Sequence, residues 1–131
     1  VARPIVDFPD AILATLGVLR ARVASATFGT KAPEEYPTAP AAPYVAVAVD
    51  SSTVRYPVTE TVSLRLAVWG VDDASGYALA RHLRAVLLAY EGGPEVRSYG
   101  PLTGPIPTTD PATGSPLSTF TVAARLRPTI Y

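Results

Sequence analysis

The sequence predicts an α+β fold in the order α-β-β-α-β-β: an antiparallel four-stranded sheet with two helices packed on one face. Three observations lead there. Residues 59–90 pass from apolar alternation with period two to a 3.6-residue period, so a half-buried strand runs into an amphipathic helix in mid-chain. Residues 44–50 and 117–127 alternate in the same strand-like way on either side of it, and residues 8–24 carry a second helical stripe. At 131 residues the chain suits one domain, 1–131, able to bury roughly two thirds of its unfolded surface without a metal or disulfide.

Taken in order, Asp7 with Asp10 and Pro9 forms a helix-start signal, and Ile12, Leu16, Leu19 and Val23 form an apolar stripe over a helix at 8–24. Arg20 and Arg22 suit its C-terminal dipole, while Gly17 weakens it by about 1 kcal/mol relative to Ala. Residues 27–43 are a flexible, proline-rich connector, with room for a short edge strand at 26–30. The first main strand, 44–50, points Val45, Val47 and Val49 one way. A turn at 51–57 leads to its antiparallel partner at 59–71, with Val62, Leu64, Leu66 and Val68 on one face and Ser63, Arg65, Ala67 and Trp69 on the other. Asp72 and Asp73 start the second helix, Ala80, Leu83, Leu87 and Tyr90 mark its buried face, and Gly92, Gly93 and Pro94 end it. Strands at 95–102 and 117–127 flank a long hairpin loop at 103–116 that lacks apolar periodicity and is expected to be mobile.

Composition narrows the chemistry. Without Cys there are no disulfides, no thiol catalysis and no cysteine-built metal or cluster sites. The absence of Asn, Gln and Met, with ten Arg against the single Lys31, reads as GC-rich coding, with selection against thermolabile residues as the rival. Net charge is zero, so any DNA contact must be local. The opening VARPIV lacks the regions of a secretory signal and no apolar run approaches the length of a membrane span, so a protein working in aqueous solution, with no membrane partner, is expected. His82 has no Ser, Asp or Glu constellation around it, the Asp72–Asp73 pair reads as a helix start, and no phosphate-loop or dinucleotide motif exists. No enzyme, metal or cofactor is therefore expected.

With both helices on one face, the other carries Ala46, Ala48, Arg65, Ala67, Trp69, Thr121, Ala123 and Arg125. That mixture of small residues, hydroxyls, arginines and one Trp suits a protein interface. The order of elements, together with the passages DAILATLGVLRARV, SLRLAVWGVDDASGYALARHLRAVL and DPATGSPLSTFTVAARLR, resembles the tail terminator, or tail-completion, proteins of long non-contractile-tailed bacteriophages. The composition would suit a phage of a GC-rich host.

The resemblance implies a structural assembly protein of the virion, made in the host cytoplasm. It would form a homo-oligomeric ring, typically a hexamer, on the head-proximal end of the tail tube, ending polymerisation of the major tail tube protein and joining the head-tail connector or neck. DNA would pass through its bore without sequence-specific binding. Arg55, Arg65, Trp69, Arg125 and Arg127 are the expected subunit or tube contacts, and residues 30–43 and 103–116 the segments expected to order on docking. The alternatives are another neck or head-completion protein and, in a different class, a small-molecule-binding regulatory α+β domain.

Overall fold

A computed structural model describes residues 3–31, 43–70, 72–111 and 114–130. Its elements are β1 (Val6–Asp7), α1 (Ala11–Arg22), β2 (Thr27–Gly29), β3 (Tyr44–Arg55), β4 (Thr59–Trp69), α2 (Asp73–Leu88), β5 (Val96–Thr109), β6 (Pro116–Leu126) and β7 (Thr129–Ile130). The α+β class and the two helices agree with the sequence reading. The main sheet has five strands and not four, in the order β2-β3-β4-β6-β5, because β2 joins parallel to β3 at one edge while the other pairs are antiparallel. A separate two-stranded sheet pairs β1 with β7.

The central strand β4 explains the layering. Val62, Leu64, Leu66 and Val68 turn to one face and are buried there with Val45 and Val47 of β3 and with Phe120, Val122, Ala124 and Leu126 of β6. Leu16 and Leu19 of α1 and Ala80, Leu83 and Leu87 of α2 close the same cluster, so both helices cover one side of the sheet. Each such leucine contributes roughly 1.5–3 kcal/mol by leaving water.

Several boundaries move for physical reasons. The cap of α1 is Asp10 and not Asp7: its Oδ1 accepts from the N–H groups of Ile12 (2.9 Å) and Leu13 (3.1 Å). Asp7 is occupied elsewhere, its carboxylate accepting from the Phe8 N–H and its backbone pairing with Thr129. The cap of α2 is Asp72, which accepts from the Ser75 N–H at 2.7 Å, and that bond holds its carboxyl below the usual carboxylate range. Strand β3 continues through the expected 51–57 turn to Arg55, with a bulge between Val49 and Ser51, so the turn shrinks to residues 56–58.

The largest correction concerns 103–116. Residues 103–109 belong to β5, and only 110–115 connect it to β6. Pro101, Pro105 and Pro107 are tolerated because β5 is an edge strand, where an N–H turned outward has no ladder partner to lose. Arg84 of α2 donates to the Gly104 carbonyl, and the Thr103 N–H donates to Thr121 Oγ1 at 3.0 Å, which fixes the segment to both layers. Of the expected connector, 27–29 is strand, and 32–42 lies outside the described residues, as do 112 and 113 of the hairpin loop.

Two glycines pull stability in opposite directions. A Cβ on Gly17 would meet nothing within 4 Å, whereas one on Gly70 would come 2.4 Å from the Gly76 Cα, where the end of β4 crosses the first turn of α2. Gly17→Ala is expected to raise the urea-unfolding free energy by about 1 kcal/mol. Gly70→Ala is expected to lower it by about 1–3 kcal/mol.

In the core, the Tyr99 hydroxyl lies 2.9 Å from Thr15 Oγ1, and desolvation pushes its pKa up to about 12, against the opposing effect of the Thr15 bond. The folded chain thus holds this proton more tightly than the unfolded one. Its contribution is complete below pH 10 and is lost as pH rises towards 12. Unfolding curves across that window are expected to show the wild type losing on the order of 1–2 kcal/mol more than Tyr99→Phe.

Candidate interaction surface

The side of the sheet opposite the helices is a small-residue, hydroxyl-rich face. Strand registers set its rows. Tyr44, Trp69, Leu117 and Thr108 lie in one, and Ala46, Ala67, Thr119 and Ile106 in the next. Below them come Ala48, Arg65, Thr121 and Thr103, then Ser51, Ser63, Ala123 and Gly100, then Thr53, Thr61, Arg125 and Ser98. Arg55 sits opposite Thr59 at the lower end.

Of the five residues expected to make contacts, three are exposed on this face. Arg65 pairs with Asp50, its Nε 3.3 Å from Oδ2, and keeps a side-chain exposure of 58%. The bulge makes this possible: it places Asp50 as an extra residue before Ser51, on the side that Arg65 occupies. Arg125 leans over Gly100, with Nη1 3.4 Å from Ser98 Oγ. Arg55 is exposed and, like Arg125, has no ion-pair partner among the described residues. Arg127 has a different role. Its Nε donates to the Gly93 carbonyl at 2.7 Å and its backbone N–H to the Glu95 carbonyl, which ties the end of β6 to the turn before β5.

Trp69 is not an exposed contact residue in this chain. It is 4% accessible, packs against the Tyr44 ring at 5.9 Å, and donates from Nε1 to Asp110 Oδ2 at 2.9 Å. Asp110 is itself buried and begins the β5–β6 turn, where its N–H reaches the Ser115 carbonyl and its carbonyl accepts from Gly114. Trp69 therefore anchors that turn to the end of β4. Neither Asp50 nor Asp110 stands out in sequence as a partner, since each lies 15 or 41 residues from the side chain it binds.

Two further features were not expected. The lower half of β3 and its turn form an exposed arm, residues 48–58, including Val54 (48%), Tyr56 (42%) and Val58 (51%), while β4 beside it stays paired with β6 as far as Glu60. The Tyr56 hydroxyl donates to the Pro4 carbonyl and the Arg3 guanidinium lies over its ring, so the N-terminal segment braces the tip. Among the described residues, none pairs with the outer edge of β3 below Ala46, where pairing with β2 stops. At the opposite edge of the sheet, Leu102 and Ile106 of β5 are exposed. The helical side has shallow open grooves beside Tyr90, the smaller of about 280 Å³, where Arg22 stacks 5.1 Å from the Tyr90 ring. His82 is exposed on α2, and no group of three or more potential metal ligands occurs among the described residues.

Trp69 is the only tryptophan, so fluorescence reads its surroundings directly. Emission is expected to be blue-shifted and poorly quenched by iodide, and Trp69→Phe is expected to lower stability by about 1–3 kcal/mol through loss of the donor to Asp110. Strong quenching in the folded chain would contradict the buried placement. The chain matches no protein-family model and no curated protein, which leaves these surfaces as the basis for a functional reading.

Proposed function

We propose that this chain is a structural assembly protein of the tail-terminator kind: a ring, six copies in the simplest form, that caps the head-proximal end of a phage tail tube, ends its polymerisation and presents the surface that joins the head. The observation that carries the reading is the pair of separate exposed apolar patches on opposite edges of one sheet. Val54 lies near the end of β3 with Tyr56 and Val58 in the turn that follows, and Leu102 and Ile106 lie on β5. A closed ring needs heterologous contacts, in which one patch meets a different patch on the neighbour. A two-fold dimer would need only one self-complementary patch. The β3 edge below Ala46 has no strand partner among the described residues, while the prolines of β5 remove donors from the other edge, so strand pairing between copies through β3 and β5 would be incomplete and side-chain packing must supply the contact. The tube protein and the neck protein would take the two rims of the ring, and the assembly would reside in the virion.

Native mass spectrometry and negative-stain imaging test this. The wild type is expected to give cyclic oligomers, and Tyr56→Asp and Ile106→Asp are each expected to give monomers. Mixing those two variants should yield a heterodimer and nothing larger, because one intact arm then meets one intact β5 patch. A mixture that stays monomeric, from variants that remain folded, would overturn the heterologous contact.

A further inference from the structure

The net charge of zero conceals a segregated surface. On the lower half of the open sheet face, Arg55, Arg65 and Arg125 are exposed, and the carboxylate found there among the described residues is Asp50, which Arg65 already engages. The nearby acidic residues turn elsewhere. Glu60 has the parity of the helix-covered face, opposite Leu126, and Glu95 lines the groove on the helical side. Between the arginines stand the hydroxyls of Thr53, Thr61 and Thr121 with small residues such as Ala48, and the described part of this half-face carries no aromatic ring.

We infer that the lower half of this face is a sequence-independent contact surface for the phosphate backbone of nucleic acid. Guanidinium groups and hydroxyls are the donors that phosphate oxygens take, and they position a backbone without reading bases. A face without aromatic rings offers no platform on which unstacked bases could pile, so the occupant it fits is a duplex touched along its backbone and not a single strand gripped by stacking. The small residues between the arginines keep the surface flat enough for a rod to lie on it. Arg55 and Arg125 are the strongest contributors, because neither has an ion pair to give up among the described residues. Arg65 must share its charge with Asp50. The surface uses the face of the sheet and not its edges, so it stands whether or not the ring proposed above forms.

Fluorescence anisotropy with two labelled DNA duplexes of unrelated sequence tests the inference, using the full chain in whatever oligomeric state it adopts. Both duplexes are expected to bind equally, with an affinity that falls log-linearly between about 50 and 200 mM salt. Arg55→Ala and Arg125→Ala should each reduce the slope by about 0.9, and Arg125→Lys should keep it. Arg81→Ala, on the exposed side of α2, should leave binding unchanged. Absence of binding at the lowest salt would overturn the inference, as would an equal loss from Arg81→Ala. Polyglutamate binding as tightly as the duplex would also overturn it, making an acidic protein the better occupant. Circular dichroism of each variant separates lost binding from lost folding.

Discussion

The rest of the structure depends on the one-sided burial of β4. Val62, Leu64, Leu66 and Val68 are driven out of water together, and period-two geometry then obliges Ser63, Arg65, Ala67 and Trp69 to point the other way. Because β4 has a neighbour on each side, its preference is imposed on β3 and β6, whose valines and Phe120 join the same layer. Two helices are enough to cover that layer. Among the described residues none is left for the opposite face, which is populated by alanine, serine and threonine, with arginines that reach solvent.

What could be read in sequence was what repeats locally. The second helix, with Ala80, Leu83 and Leu87 inward and Asp72 at its start, follows from neighbours within one or two turns. The lower part of β3 was legible in principle. Valines at 45, 47 and 49 give way to Val54, and that change from odd to even positions is the trace of the bulge beside Asp50. Read as a turn because of its serines, the segment hid an arm. The proline-rich stretch after Gly100 misleads for the opposite reason: prolines forbid a central strand, but whether a strand is central is decided by its partners, and among the described residues β5 has one only on its β6 side. The short strands β1, β2 and β7 have two or three residues each, too few for any periodicity.

The candidate surface divides along the same line. That Arg65 and Arg125 share the open face follows from parity alone, and the structure keeps them there. Trp69 has the same parity, yet its fate was set by the turn at Asp110, which is brought beside it by the β5–β6 hairpin folding against β4. A large aromatic ring at the end of a strand can equally well be an interface anchor or a pin for its own chain. Only a buried polar partner distinguishes the two, and sequence separation conceals that partner. Arg127 shows the same ambiguity in a cation: its guanidinium satisfies a carbonyl of the protein's own turn.

Edges and face therefore differ in chemistry. Exposed apolar side chains gather on the arm and on β5, at the two lateral borders of the sheet, whereas the lower face between them holds guanidinium and hydroxyl groups. Apolar contact is non-directional and gains from excluding water, which suits a permanent neighbour. Arginine and threonine on an open surface gain little from a permanent partner, because their own hydration must be given up, and they act best on a polyanion whose counterions are released on contact. A domain that joined its copies edge to edge would turn one face of every copy, this one or the helical one, towards a common space. The zero net charge is compatible with that arrangement, since the basic residues of the face are balanced by carboxylates such as Asp72 and Asp73 at the other end of the strands, where they start a helix.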